Sequence, residues 1–208
     1  FCTRKSDVAA YEALVAEVAD ETMGVPETEP RLAPAPDRPD AEVDREALLA
    51  DWAALQDTHD FFQLLGRHGV GRAQALRLAE GQFAERVAPG GIQSALEAAA
   101  EAALPIMVFV GNRGCGQIHT GPVKKLVERE PWYNVLDPGF NLLLDERAVA
   151  ASWVVRKPTE DGDVTALELY DAAGAAVVQV FGERKPGRPE REGWREGLKG
   201  LPLAEPAR

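Results

Sequence analysis

The fold class of the chain is indicated most clearly by the stretch Ala151-Ser-Trp-Val-Val-Arg-Lys-Pro-Thr-Glu-Asp-Gly-Asp-Val-Thr-Ala-Leu-Glu-Leu-Tyr-Asp-Ala-Ala-Gly-Ala-Ala-Val-Val-Gln-Val-Phe181. It contains three apolar runs rich in β-branched and aromatic residues, separated by the dipeptides Asp161-Gly162 and Ala173-Gly174. Such dipeptides are typical of turns between neighbouring strands. The stretch therefore predicts a meander of strands over residues 151–156, 165–170 and 175–181.

Patterns outside this stretch predict several helices and more strands. Apolar residues recur at helical spacing after Asp7 and Asp44, which are two candidate N-caps. Further helices are predicted over residues 57–68, 72–87, 92–104 and 190–198, and further strands over 106–110, 114–120, 132–136 and 140–144. Helices followed by a meander of strands predict an α+β fold, with a large antiparallel β-sheet packed against several α-helices.

The first 43 residues differ in character from the rest. Five prolines lie among acids and alanines between residues 25 and 43, and proline at that density favours an extended linker. The segment Phe1-Cys-Thr-Arg-Lys5 is similar to Phe181-Gly-Glu-Arg-Lys185, and each precedes an amphipathic helix. A duplicated protein accounts for this similarity. We therefore predict that residues 1–24 are the tail of a preceding repeat (a strand end plus a helix), residues 25–43 a linker and residues 44–208 one repeat domain.

Composition and charge argue against two classes of partner. The formal net charge of −11 argues against a nucleic-acid partner, because binding to a phosphate backbone usually needs a basic face. No apolar run approaches the roughly 20 residues that span a bilayer, so membrane insertion is not expected. The two cysteines form no CxxC pair and no metal-spaced set. A cytoplasmic, reduced protein is the expectation.

Three histidines are candidates for a functional role: His59, His68 and His119. His59 shares a predicted helix face with Phe62 and Gly66, and a flat iron macrocycle would fit along these apolar and small residues. A core histidine bonded to a carbonyl fits the same spacing. His68 is expected at the end of that helix in a structural role, since a cationic side chain there favours the helix dipole. His119 lies on a predicted strand, and its pattern indicates no role.

The sequence has no GxSxG, HExxH, Walker-type or dinucleotide-binding glycine motif. The glycine-rich segment 111–114 lies in a predicted hairpin, which argues against a phosphate cradle. Polar side chains of the strand half are better candidates. Lys157 ends one strand, and Gln179, Phe181 and Arg184 fall on another, with Gln179 and Phe181 on one face. They are either ordinary surface positions or a polar edge that holds the carboxylates of a ligand.

The run Phe109-Val-Gly-Asn-Arg-Gly-Cys-Gly-Gln-Ile-His-Thr-Gly-Pro-Val123 resembles the hemin-degrading factor family, whose members are also described as cytoplasmic haem-transport proteins. Four other segments resemble the same family, and all agree in order: residues 51–72, 132–138, 153–158 and 167–171. The resemblance extends from about Asp44 to the C-terminus. Because this family is built from two tandem repeats, the chain is similar to its second repeat plus the tail of the first.

The resemblance implies that haem is held between the sheet and the helices. The family's axial iron ligand, the histidine of an Asp-x-His-x-Phe segment, corresponds to His59, and the Leu55 carbonyl is a candidate acceptor for its second ring nitrogen. The other pocket residues that the resemblance implies are Arg72, Phe109, Lys157, Gln179, Phe181 and Arg184. Phe181 departs from members with tyrosine there, so a contact through a hydroxyl is not expected. The aromatic residues would contact the macrocycle, and the cationic ones would suit its propionates or its distal side.

Three functions are compatible with these features. The first is reversible haem binding that carries or buffers imported haem for iron use. The second is a haem-degrading enzyme that opens the porphyrin ring with electrons from an external reductant, because the chain has no flavin or nicotinamide motif. The third is a half-site that binds haem only with its partner repeat. A haem importer or a heme oxygenase is the expected donor or acceptor, and the apolar stripe of the first helix suggests a homodimer.

Overall fold

The computed structural model describes residues 7–19, 24, 36–112, 114–185 and 187–204. These residues belong to two units, Phe1–Pro34 and Ala35–Arg208. The first unit contains helix α1 (Val8–Val18), which begins where the sequence predicts: the Asp7 carboxylate accepts a hydrogen bond from the Ala10 N–H at 2.9 Å. The predicted strand end before α1 and residues 25–35 of the predicted linker lie outside the described residues.

The second unit contains the remaining described helices and strands. The helices are α2 (Arg45–Ala53), α3 (Asp60–His68), α4 (Arg72–Leu78), α5 (Gly91–Glu101) and α6 (Glu192–Lys199). The strands are β1 (Ala84–Val87), β2 (Ile106–Gly111), β3 (Gly116–Gly121), β4 (Leu126–Arg129), β5 (Trp132–Asp137), β6 (Phe140–Asp145), β7 (Ala151–Lys157), β8 (Val164–Tyr170) and β9 (Ala176–Gly182). Among the described residues, no helix has the length and apolar character needed to cross a membrane.

Two antiparallel sheets organise this unit. The larger has six strands in the order β1-β7-β8-β9-β2-β3, and the smaller has three in the order β4-β5-β6. Strands β7, β8 and β9 come from the stretch 151–181 and are consecutive neighbours, as a meander requires. The predicted α+β fold with a large antiparallel sheet is confirmed.

Both faces of the six-stranded sheet are covered around β8. On one face, α5, α6 and the three-stranded sheet pack against Leu167 and Leu169 of β8. On the other face, α2, α3 and α4 pack against Trp153 of β7 and Tyr170 of β8. Every residue of β8 is therefore buried, and its side chains alternate between the two cores. This alternation places Glu168 inside the protein, on the face that α2, α3 and α4 cover.

Two local predictions are wrong. The helix predicted over residues 72–87 ends at Leu78, and Ala84–Val87 forms strand β1, which pairs with β7. Gly81 lies between the two elements with φ at 81°, a left-handed conformation that favours glycine and ends the helical path. Strand β4 has no counterpart among the predicted strands, because its four residues are short of a recognisable alternation and depend on pairing with β5.

The end of the predicted linker lies against the second unit. Gln74 of α4 donates hydrogen bonds to the Arg38 carbonyl at 2.6 Å and to the Asp40 carboxylate at 2.7 Å. Arg77, one turn further along α4, pairs with Asp37 at 3.2 Å. Residues 36–43 therefore pack on α4 and do not form an extended linker. The linker prediction stays untested for residues 25–35.

Candidate functional site

His59 is the N-cap residue of α3 and precedes the helix rather than lying within it. Its side chain is 90% exposed, which excludes a core histidine, and Nδ1 lies 2.6 Å from the Asp57 carboxylate. The same carboxylate accepts a hydrogen bond from the His59 backbone N–H at 2.8 Å. The prediction that the Leu55 carbonyl is the acceptor is wrong, because the turn before α3 brings the Asp57 side chain to the ring instead. Since Nδ1 is engaged, Nε2 is the nitrogen available to a metal or a ligand.

The Asp57 carboxylate is held in its ionised form. Hydrogen bonds from the backbone and the ring of His59 lower the pKa of Asp57, and the charge of Arg184 lowers it further. Arg184 follows β9, so this interaction also places the end of β9 near the turn that carries His59. An ionised acceptor binds an imidazole N–H more strongly than a carbonyl does. The ring of His59 is therefore oriented although it is exposed.

Aromatic and amide side chains line the sheet on the side of α3. Phe109, Gln179 and Glu168 occupy paired positions in β2, β9 and β8. Phe181 lies two residues after Gln179 and points to the same face, as the sequence predicts. Its ring meets Phe109 edge to face, with 5.3 Å between the ring centroids. Phe109 and Gln179 also line a cavity of about 320 Å³, together with Ile118 of β3.

The Gln179 amide is an orphaned donor on this face. Its Nε2 is buried and donates a hydrogen bond to none of the described residues. A buried amide donor without an acceptor is unfavourable, and native proteins rarely leave one. The amide therefore points to a ligand that brings an oxygen acceptor to the aromatic face.

Four side chains form a buried cluster next to Phe181, consisting of Arg72, Lys157, Glu168 and Tyr170. Nζ of Lys157 lies 2.9 Å from Oε1 of Glu168, and these two side chains are 4% and 0% exposed. Arg72 reaches both carboxylate oxygens, with Nη2 at 2.6 Å from Oε1 and Nε at 2.9 Å from Oε2. The Tyr170 hydroxyl donates to Glu168 and accepts from Nε of Arg72 at 2.8 Å.

Opposite charges keep Glu168 ionised in spite of its burial. Burial raises the pKa of Glu168, but the charges of Lys157 and Arg72 lower it far below its usual range. Burial and the charge of Arg72 lower the pKa of Lys157, whereas the charge of Glu168 opposes them, and the pKa lies below its usual range. Burial also raises the pKa of Tyr170, as does the neighbouring Glu168 charge, so the phenol stays neutral.

Phe61 of α3 connects His59 to the buried cluster. Its ring centroid lies 4.7 Å from Nζ of Lys157 and 5.1 Å from Cζ of Arg72. Nζ of Lys157 is also 6.0 Å from the ring centroid of Phe181. Because Phe61 is two residues after His59, these contacts hold the start of α3 beside the aromatic face. The start of α3, the buried cluster and the aromatic face therefore lie next to one another in the second unit.

The predicted site residues differ in their exposure to solvent. His59 is exposed, whereas Lys157 faces inward to Glu168 and does not offer its ammonium group to solvent. Sequence reasoning missed Asp57, Glu168 and Tyr170. A signal existed for Glu168: it is an acid between two leucines in an apolar strand, and a buried carboxylate needs a counter-charge. Asp57 begins the Asp-x-His-x-Phe segment, and Tyr170 lies in the segment 167–171 that resembles the family, but neither pattern indicates which side chain it contacts.

The other two histidines lie outside this region. Nε2 of His68 lies 2.9 Å from the Asp51 carboxylate, in keeping with the structural role expected for it. His119 of β3 stacks on Phe140, with 3.8 Å between the ring centroids. Within the described part of the chain, no group of three or more His, Cys, Asp or Glu side chains is arranged to hold a metal ion.

Comparisons with known proteins cover nearly the whole chain. The hemin transport protein HemS of Yersinia enterocolitica is 39% identical over 201 residues, which are 97% of this chain and 58% of that protein. The structure of holo-PhuS, a heme-binding protein from Pseudomonas aeruginosa, is 50% identical with a TM-score of 0.90, covering 97% of this chain and 59% of that one. ChuS, an E. coli heme oxygenase, is 39% identical with a TM-score of 0.80, covering 96% and 59%. The chain therefore spans about 58% of the length of the curated relatives.

A family model of the haemin-degrading HemS.ChuX domain matches residues 69–201, which is more than half of the chain. His59 lies just before the matched range. The other predicted site residues lie inside it: Arg72, Phe109, Lys157, Gln179, Phe181 and Arg184. The chain belongs to the family of the haemin-degrading HemS.ChuX domain.

Proposed function

We propose that the chain binds haem beside the start of α3, with Nε2 of His59 as the axial iron ligand, and that it carries or buffers imported haem for iron use. The observation that carries this proposal is the exposed His59 imidazole, whose Nδ1 is fixed by an ionised Asp57. Neutral imidazole is a good ligand for haem iron, and a carboxylate on the second nitrogen fixes the tautomer and the orientation of the ring. A histidine in this state is prepared to coordinate iron.

The side chains around His59 suit a flat macrocycle with acidic substituents. Phe109 and Phe181 offer ring faces and edges to an aromatic surface. The buried Nε2 of Gln179 has no acceptor among the described residues, and a propionate oxygen or an iron-bound oxygen would supply one. Arg184, whose charge acts on Asp57, and Arg72, which pairs with Glu168, add positive charge. The haem-binding proteins similar to this chain support the same ligand.

A hemin titration of the purified protein, followed by absorbance, tests this proposal. We expect a saturable Soret shift with one hemin per chain. A titration that never saturates, or that matches free hemin, would reject haem binding by this chain alone. Hemin binding only by a longer chain that covers the rest of the relatives' length would support the half-site alternative.

Replacing Asp57 by alanine is expected to weaken hemin binding by roughly tenfold to 100-fold, as is typical when the hydrogen-bond partner of a ligating histidine is lost. The Soret maximum should shift as well, because the imidazole loses the partner that fixes its tautomer and orientation. Asp60→Ala is the matched control: it removes a carboxylate from the first turn of α3 that is not the hydrogen-bond partner of the His59 ring. Equal affinities for the two variants would contradict the proposed role of Asp57.

Haem degradation is the second candidate function. ChuS, an E. coli heme oxygenase, is 39% identical over 96% of this chain, and the partly exposed Arg72 of the buried cluster offers a cation to a ligand. Bound haem would supply the redox-active iron and would also be the molecule that is opened. Ascorbate added to the hemin complex under air separates the two functions. Loss of the Soret band with formation of an open tetrapyrrole supports degradation, and a Soret band that persists supports carriage.

Location, partners and repeat organisation belong to the same proposal. We place the protein in the cytoplasm, with a haem importer or a heme oxygenase as donor or acceptor and with a homodimer as the assembly to test. We also retain the division into a repeat tail (residues 1–24), a linker and a repeat domain. The coverage of about 58% of the curated relatives is in keeping with one repeat plus part of another.

A further inference from the structure

Glu168 pairs with both basic side chains of the buried cluster. Oε1 accepts from Lys157 at 2.9 Å and from Nη2 of Arg72 at 2.6 Å, while Oε2 accepts from Nε of Arg72 at 2.9 Å. The Tyr170 hydroxyl contacts Glu168 and Nε of Arg72. One fully buried carboxylate therefore fixes the direction of a guanidinium and the position of an ammonium group.

This arrangement leaves one edge of Arg72 available. A guanidinium offers five N–H donors, and Glu168 and Tyr170 occupy only the edge formed by Nε and Nη2. Nη1 donates no hydrogen bond to the described residues, and the Arg72 side chain is 31% exposed. Lys157, by contrast, is 4% exposed. Arg72 is thus the member of the buried cluster that can reach a ligand, and its carboxylate-facing edge determines where its free edge points.

The free edge of Arg72 is suited to a further anion. Glu168 and Tyr170 occupy the edge formed by Nε and Nη2, and the guanidinium is partly exposed. Without Glu168, nothing in the buried cluster would fix the direction of this guanidinium through two hydrogen bonds. A carboxylate from a ligand, placed on the free edge of Arg72, would form a charge-assisted hydrogen bond with it.

We propose that Glu168 is a positioning residue of the pocket: it directs the free edge of Arg72 toward a carboxylate of the bound macrocycle and so makes the site selective for a ligand with free acid groups. This inference rests on the proposed haem binding. It assigns the selectivity to a residue that touches the ligand through Arg72 and not directly.

The test compares the affinities of the protein for hemin and for hemin dimethyl ester, which lacks both carboxylate charges. For the wild-type protein we expect hemin to bind about tenfold more tightly or better, the range of a hydrogen bond between charged groups. Glu168→Gln keeps the shape of the side chain but removes its charge, and the preference should fall to about twofold. If the role of Glu168 were merely structural, its replacement would weaken the binding of both ligands equally and leave the ratio of the two affinities unchanged.

Glu190→Gln is the matched control. Glu190 is also a buried carboxylate, but its oxygens accept from the Thr165 backbone N–H on the α6 side of the domain. This variant should keep the wild-type preference. If the far-ultraviolet circular dichroism shows that Glu168→Gln does not fold, Tyr170→Phe tests the proposal instead. This variant removes the hydroxyl that contacts both Arg72 and Glu168 without changing a charge. Its preference for hemin over the ester is expected to be smaller than that of the wild type.

The outcomes separate this inference from the proposed function. If the wild-type protein binds neither hemin nor its ester, the proposed function is contradicted, and this inference with it. A wild-type protein that binds both ligands equally overturns the inference alone. A folded Glu168→Gln protein that keeps the wild-type preference overturns it as well, and so does an unchanged preference in Tyr170→Phe where that variant decides.

Discussion

Replacing His59 by alanine is expected to weaken hemin binding by about 100-fold or more, since the loss of the axial ligand exceeds the loss of a partner to that ligand. The structure carries this expectation because His59 is the histidine with an exposed ring whose Nδ1 is already fixed by a carboxylate. The Soret band of any remaining complex should resemble that of hemin without a nitrogen ligand. Absorbance titration of the variant beside the wild type measures both effects.

His119→Ala is the control for the loss of an imidazole. His119 pairs in register with Val108 and stacks on Phe140, so its side chain lies on the sheet face opposite Phe109. Its removal should leave the hemin titration unchanged. Added imidazole should restore part of the wild-type Soret shift to His59→Ala, because it can enter the space that the side chain vacates. If His59→Ala and the wild type titrate alike, His59 is not the ligand, and His68 and His119 become the candidates.

Replacing Trp52 by alanine is expected to lower the free energy of unfolding by about 3–5 kcal/mol, the usual cost of deleting a buried aromatic side chain. Trp52 is fully buried, meets Phe61 edge to face at 4.5 Å and stacks on Phe83 at 5.5 Å. Its Nε1 also donates to the Arg156 carbonyl at 3.0 Å, which the variant leaves without that donor. Urea unfolding followed by circular dichroism measures the change.

Trp132→Ala is the control for this stability prediction. Trp132 of β5 is 42% exposed, so its removal creates no closed cavity, and a change of about 1 kcal/mol or less is expected. The two variants lose the same side chain, and their difference isolates burial. Equal losses in the two variants would contradict the view that Trp52 anchors α3 through Phe61 and thereby supports the position of His59.

Local pattern was enough for the order and type of most elements. Alternation in the stretch 151–181 predicts three neighbouring strands, and these became β7, β8 and β9 of the large sheet. Side-chain chemistry marked the helix starts at Asp7 and Asp44, where each carboxylate accepts from a backbone N–H three residues on. These features depend on neighbours within a few residues, which is the range that a sequence pattern records.

Sequence patterns gave wrong predictions where the tertiary fold determines the conformation or the hydrogen-bond partner of a residue. Residues 84–87 form a strand because β7 offers an edge to pair with, although the apolar spacing before them is helical. His59 uses the Asp57 carboxylate and not the Leu55 carbonyl, because the chain turns before α3 begins. Each of these depends on a geometry that hydrophobic spacing does not encode.

Strand alternation and motif order are local properties of the chain, and they were sufficient to predict the α+β class, the shared face of Gln179 and Phe181, and the family to which the motifs point. The pairing of Glu168 with Arg72 and Lys157, and the exposed His59 ring held by Asp57, depend on long-range packing and became visible in the folded protein. Covering β8 on both faces excludes water from Glu168, and a carboxylate without water must take its counter-charges from residues far away in the sequence.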